Sequence, residues 1–129
     1  MDYAKNAKNA VSQAVKGSAK FRDLVQSALI AVALESFHSG NVARMDDLLS
    51  HLKGADYRAV MTWVKEFTLI RKNEGKACQF NKARASELFD QFAPQWQAMP
   101  ATDRAQCRPE AAVESYRAFL ETCPKWHEL

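Results

Sequence analysis

A cluster of basic residues in the middle of the chain has the composition of a surface that binds phosphate. One group recurs at helical spacing on the outward face of a predicted helix, and a second group follows on a predicted hairpin. Lys and Arg neutralise backbone phosphates and release their counterions. We therefore expect the helix group to face a groove of nucleic acid and the hairpin group to contact phosphates. The predicted contacts are Arg58, Thr62 and Lys65 on the helix and Arg71, Lys72, Lys76 and Lys82 on or beside the hairpin. Lysines at a hairpin tip also have a simpler interpretation, in which they are solvated and keep an exposed edge from pairing with other chains.

The remaining reactive residues do not form a catalytic or metal-binding pattern. His38, His51 and His127 lie at predicted helix ends or in the tail, and none has a cysteine or carboxylate at ligand spacing. Asp46 and Asp47 are adjacent, so they point to different sides of a helix and are expected to form part of a solvated face. The chain has no nucleophile in a recognisable setting and no glycine-rich phosphate loop. The sequence therefore predicts a non-enzymatic protein with no catalytic residue, no metal site and no cofactor.

Two short helices and a hairpin, from Asn41 to Phe80, are expected to position the basic cluster. Asn41 can cap the first helix, Gly54 fits a left-handed residue just past its end, and Asp56 can cap the second helix. The apolar, β-branched segment 67–70 and the segment 78–80 then read as strands around a turn at 72–76. Helix, tight turn, helix and hairpin is the order of a winged helix-turn-helix, whose second helix reads the groove.

The rest of the chain is also expected to be helical, which predicts a mainly α fold of about six helices with a helix-turn-helix and a small β-hairpin. A long buried helix should run from Ala19 to His38, with Ser18 as its cap, and end before Gly40. A later helix should be capped by Asn81 and end at Pro94. A final helix should lie between Pro109 and Pro124. We expect one domain over 1–129, with 1–17 as a loosely packed N-terminal segment, 18–93 as the winged-helix-like core and 94–129 as a connection and C-terminal helix, anchored by Trp96 and Met99.

The charge is small overall but uneven along the chain. The net charge is +3, yet residues 1–84 hold 14 basic and 8 acidic residues, whereas residues 85–129 hold 4 and 7. This asymmetry suits a protein that presents one face to a polyanion, and it also suits two copies docking head to tail. The three cysteines are odd in number and unpatterned, which argues against a disulfide framework. We expect a cytoplasmic protein that does not enter the membrane.

Aromatic and sulfur side chains suggest a second kind of surface. Tyr57 and Met61 share the outward face of the second short helix, while Tyr116 and Trp126 lie near the C-terminus. Aromatic anchors carry much of the energy of protein interfaces, so these four residues are the predicted protein contacts. Trp126 is expected to be the most exposed tryptophan, and Trp63 to be core. Two copies could bury the surface from Tyr116 to Trp126 in a two-fold homodimer. A monomer in which the last helix covers the core is the alternative.

The segment from about residue 25 to 100 resembles a family of small proteins encoded by tailed double-stranded DNA bacteriophages. The resemblance rests on His38-Ser-Gly-Asn-Val42, Leu48-Leu49, Lys53-Gly54, Ala59, Trp63 and Phe67. It implies a phage or prophage origin and a cytosolic role during infection, and it implies no catalytic residue. Two functions are compatible with it. The first is a nucleic-acid-binding protein, and the second is a stoichiometric inhibitor or adaptor of a host protein, such as an anti-defence factor (for example an anti-CRISPR) or a host-takeover factor.

Overall fold

The computed structural model describes residues 2–16, 20–73, 75–92 and 108–129. The helices are α1 (Tyr3–Ala14), α2 (Phe21–Ser39), α3 (Ala43–Leu49), α4 (Gly54–Phe67), α5 (Ala85–Phe92) and α6 (Glu110–Thr122). Two short strands, β1 (Ile70–Arg71) and β2 (Gln79–Phe80), follow α4, and 3-10 turns span Lys82–Arg84 and Trp126–Glu128. Within the described residues this confirms the predicted mainly α fold of six helices and a small hairpin. The predictions for Ser18, Pro94, Trp96 and Met99 lie outside the described residues.

Helix α2 is the centre of the packing. It contacts α1, α3 and α6, and its buried residues are spread around nearly its whole circumference. A helix that is apolar on most sides is stable only when other elements surround it. Its C-terminus is the predicted one, because Gly40 adopts φ +78° and its N–H donates to the Ser36 carbonyl at 2.8 Å. No described helix has the length and apolar character needed to cross a membrane.

Helix α1 belongs to the packed core. Tyr3, Ala7, Val11 and Ala14 are buried, and the helix packs along α2. Asp2 caps it by accepting from the Lys5 N–H at 2.9 Å. An isolated helix of this length is marginal in water, so α1 owes its stability to this contact with α2.

The turn between α3 and α4 differs from the predicted one. Val42, and not the predicted Asn41, occupies the N-cap position of α3, although Asn41 Oδ1 still accepts from the Ala43 N–H of the opening turn at 3.1 Å. Gly54, however, does not follow α3 directly: α3 ends at Leu49, and Gly54 begins α4 with φ +57°. The prediction that Asp56 caps α4 is wrong. Lys53 occupies the N-cap position and Asp56 lies in the first turn, where its charge still suits the positive end of the helix dipole.

The hairpin is shorter than the sequence predicted. Phe67 still belongs to α4, and the antiparallel ladder pairs only Ile70 with Phe80 and Arg71 with Gln79. The Thr68 hydroxyl explains why the first strand begins only at Ile70, because it donates to the Val64 carbonyl at 2.7 Å and accepts from the Ile70 N–H at 3.1 Å. Thr68 therefore ends α4 and orients the first strand.

The C-terminal segment corrects the prediction of an exposed aromatic surface. Tyr116 is 0% exposed and Trp126 is 2% exposed. The Trp126 backbone N–H donates to Gln26 Oε1 at 2.9 Å, and its indole N–H donates to the Arg22 carbonyl at 3.1 Å. The Trp63 indole, buried as predicted, donates to the Pro124 carbonyl at 2.9 Å. The tail thus packs against α2 and α4 of its own chain, and Tyr116 and Trp126 are not exposed for the predicted protein contacts.

Candidate nucleic-acid interface

The outward face of α4 carries the predicted groove-facing residues. Arg58, Thr62 and Lys65 are all exposed, and they fall three or four positions apart, which aligns them along one side of the helix. The opposite side is fixed by Val60, Trp63 and Val64, which are buried in the core. The rotation of α4 about its axis is therefore set by packing, and the polar face has no freedom to turn inward.

A cleft of about 380 Å³ lies between this face of α4 and the hairpin. Helix α4 contributes Met61, Thr62 and Lys65, the hairpin contributes Ile70, Arg71, Lys72 and Asn73, and Asn81 follows the second strand. The volume falls within the range of about 300–1,000 Å³ typical of ligand pockets. Four of the seven predicted nucleic-acid contacts, Thr62, Lys65, Arg71 and Lys72, therefore line one cavity.

Two of the other three predicted contacts, Arg58 and Lys76, are not among the described residues that line the cleft. Arg58 is exposed on α4, and Lys76 is exposed at the hairpin turn. Lys82 begins the 3-10 turn after β2, and its side chain lies outside what the structure describes. Arg58 and Lys76 are thus on the surface, on the two elements that form the cleft but outside the cleft itself.

Lys72 is not a free phosphate contact in this structure. Its ammonium group lies 3.0 Å from Asp46 Oδ1 and 2.7 Å from the Lys76 carbonyl oxygen. The hydrogen bond to Asp46 raises the pKa of Lys72, so the cation is held in the pair. Asp47 is exposed as expected, whereas Asp46 is only partly solvated, since its carboxylate additionally accepts from the Cys78 N–H at 3.2 Å and 2.9 Å.

The sequence does not predict Asn73, Asn81 and Ile70 as site residues, and it predicts Met61 as a protein contact only. Asn73 and Asn81 line the cleft beside the basic residues, and Met61 and Ile70 add apolar surface. Asparagine can donate and accept toward a base edge. The signal that could have identified these asparagines is their position, because each flanks a basic residue at one end of the hairpin.

The predicted protein contacts divide into two pairs. Tyr57 and Met61 are half-buried on α4, one helical turn apart. Tyr116 and Trp126 lie in the core, as described above, and cannot meet a partner without unfolding of the C-terminal segment. Only the first pair remains on the surface.

The described residues offer no arrangement with obvious reactivity. Among them, no group of three or more His, Cys, Asp or Glu side chains could hold a metal ion. Cys78 is buried, and this burial raises the pKa of its thiol to about 12, with the neighbouring Asp46 adding to the effect. A thiol with so high a pKa is a poor nucleophile.

Comparison of the chain with models of known protein families, with curated proteins and with solved structures finds no match.

Proposed function

We propose that the chain is a non-enzymatic protein that binds nucleic acid through the cleft between α4 and the hairpin. The observation that carries the proposal is the convergence of Lys65 from α4 and Arg71 from the hairpin on one cavity. Both side chains are exposed. A phosphodiester backbone passing between helix and hairpin would meet a cation on each side, which is the electrostatic arrangement that polyanion binding requires.

The other lining residues supply short-range contacts to a nucleotide. The hydroxyl of Thr62 can donate to a phosphate oxygen, and the amides of Asn73 and Asn81 can pair with a base or sugar edge. Met61 and Ile70 offer apolar contact to the face of a base or a sugar. This combination distinguishes the cleft from a merely charged surface, because hydrogen bonds and apolar contacts form only with a ligand of matching shape.

The test is fluorescence anisotropy with duplex and single-stranded DNA across a salt series. Each phosphate contact contributes about 1 to the slope of log affinity against log salt. The double variant Lys65→Ala/Arg71→Ala should therefore bind more weakly and lower that slope by about 2. The matched control is Lys5→Ala/Lys8→Ala, which removes the same charge from exposed positions on α1.

The comparison between the two double variants decides the proposal. If general charge attraction were responsible, both would lose the same affinity and slope. Equal losses, or wild-type binding that is weak and insensitive to salt, would refute the proposed cleft. The phage origin and the cytoplasmic setting remain predictions beside it.

The alternative is a stoichiometric inhibitor or adaptor of a host protein. The observation in its favour is that Tyr57 and Met61 lie together on α4 and remain partly exposed. A pull-down from host lysate, repeated after nuclease treatment, separates the two functions. A partner that survives nuclease and is lost in Tyr57→Ala supports the inhibitor, whereas a partner that vanishes with nuclease supports nucleic-acid binding.

A further inference from the structure

The hairpin wall of the cleft is too small to hold its own position. Its ladder has two residue pairs, Ile70 with Phe80 and Arg71 with Gln79. An isolated two-stranded hairpin is marginally stable even when longer. Its base is closed by one further bond between the two arms, from the Asn81 N–H to the Leu69 carbonyl, and Leu69 itself is buried in the core. Its distal part needs a second attachment to the rest of the molecule.

Asp46 of α3 supplies that attachment. Its carboxylate accepts from the Lys72 ammonium at 3.0 Å and from the Cys78 backbone N–H at 2.9 Å. Lys72 follows β1 and Cys78 precedes β2, so one side chain holds both arms of the hairpin where they leave the ladder. Lys72 also donates to the Lys76 carbonyl at 2.7 Å, which ties the turn to the same point.

Asp46 acts on the cleft from outside it. It is absent from the residues that line the cavity with Lys65 and Arg71, and it instead lines a separate groove with Ala77 and Cys78. Asp46 can therefore affect a ligand in the cleft through the hairpin that it holds or through its charge. We infer that Asp46 is a positioning residue, whose carboxylate holds the hairpin against α3 and so fixes the wall of the proposed binding cleft. This inference rests on the proposed function for its binding consequence, while the hairpin attachment can be tested without any ligand.

The charge of Asp46 makes the inference easy to separate from simple electrostatics. Asp46→Asn removes a negative charge and loosens the contact with Lys72, so an account based on charge alone predicts tighter binding to DNA. A positioning role predicts weaker binding, because a neutral amide with one acceptor oxygen holds the hairpin less firmly than the carboxylate does. The neighbouring Asp47→Asn is the matched control, since it makes the same chemical change on the same helix at an exposed side chain.

Two measurements are made on both variants and the wild-type chain. Hydrogen exchange across residues 70–80 reports the attachment, and loss of a charged hydrogen bond should speed this exchange about tenfold in Asp46→Asn. Fluorescence anisotropy with DNA reports the consequence, with affinity expected to fall about threefold or more in Asp46→Asn. Asp47→Asn should leave hairpin exchange unchanged and leave affinity equal or slightly higher.

Each result has a definite meaning. Hairpin exchange in Asp46→Asn that matches Asp47→Asn overturns the attachment. Faster exchange with unchanged or tighter DNA binding overturns the positioning role. If the wild-type chain does not bind DNA, the proposed function fails, and the exchange rates alone then decide whether Asp46 holds the hairpin.

Should Asp46→Asn fail to fold, Lys72→Gln removes the ion pair while keeping the Cys78 bond. Unchanged exchange in that folded variant would also count against the inference.

Discussion

Replacement of Trp126 by alanine should be among the most destabilising single changes in this chain. The side chain is 2% exposed, and a tryptophan buries about 150–250 Å² of surface. At about 25 cal/mol per Å² this burial is worth roughly 4–6 kcal/mol, of which alanine keeps a small part. The indole hydrogen bond to the Arg22 carbonyl adds about 1 kcal/mol. We therefore expect a loss of about 4 kcal/mol in the free energy of unfolding, within the range seen for buried tryptophans.

Urea unfolding followed by far-UV circular dichroism measures this loss without relying on tryptophan emission. Trp126→Phe keeps most of the apolar volume but leaves the Arg22 carbonyl without the indole donor, so it should cost about 1.5 kcal/mol. Leu129→Ala is the control, because Leu129 is 52% exposed and should change stability by less than about 0.5 kcal/mol. If Trp126→Ala lowers the free energy of unfolding by less than about 1 kcal/mol, the burial argument is refuted, and an exposed Trp126 that contacts a partner becomes the better interpretation.

Three further predictions concern buried polar groups. Arg44→Ala should cost about 3 kcal/mol, because Arg44 is the cation beside the buried Glu35 carboxylate at 2.9 Å. Burial raises the pKa of Glu35 despite that partner. The contribution of Glu35 to stability is thus fully present below its unfolded pKa and is lost as pH rises through its folded pKa. Arg44 is needed only while Glu35 is ionised, so the stability loss in Arg44→Ala should shrink on acidification from pH 7. Thermal melts across pH measure this change. Tyr116→Phe should cost about 1 kcal/mol in urea unfolding, since it removes a buried hydroxyl that donates to the Phe67 carbonyl at 2.7 Å, and a neutral result would contradict that bond. Burial favours the protonated form of Asp46, but the bonds from the hairpin outweigh burial and lower the pKa of Asp46. The stability difference between wild type and Asp46→Asn should therefore persist above the unfolded pKa of Asp46 and disappear as pH falls through its folded pKa. A difference that does not depend on pH would argue against the ion pair.

The elements with strong local signals could be predicted from the sequence. Apolar residues at helical spacing, ended by Gly40, locate α2 to within two residues at each end. Pro109 and Pro124 bracket α6, and the Pro109 carbonyl accepts the first bonds of that helix from Ala112 and Val113. These signals are local, because capping, periodicity and proline geometry act within one or two turns of the chain.

The errors lie where distant residues decide the outcome. Trp126 stands in a short tail without periodicity, and its burial depends on Gln26 and Arg22, about a hundred positions earlier. Likewise, the adjacent pair Asp46 and Asp47 reads as solvated in the sequence, yet Asp46 meets Lys72 across 26 positions. No local pattern encodes such contacts, since they exist only after the elements have packed.

The same distinction applies to the candidate site. The sequence placed Thr62 and Lys65 on the outward face of α4 because helical periodicity assigns the opposite face to the core. It could not predict that the hairpin folds beside that face to make a cavity, or that Asn73 and Asn81 line it. Side-chain periodicity orients a residue on its own helix, whereas a cleft depends on the angle between two elements.

The Asp46–Lys72 pair bears on whether charge or geometry matters more for binding in the proposed cleft. A surface that bound polyanions by charge alone would be improved by leaving Lys72 free, yet its ammonium lies 3.0 Å from a carboxylate. The pair therefore removes one cation from the cleft wall and in return attaches a hairpin whose own ladder is only two residue pairs long. Under the proposed function, that exchange improves binding only if the position of Arg71 and Asn73 matters more than one additional charge. The opposite signs expected for Asp46→Asn under the two accounts make this a measurable question.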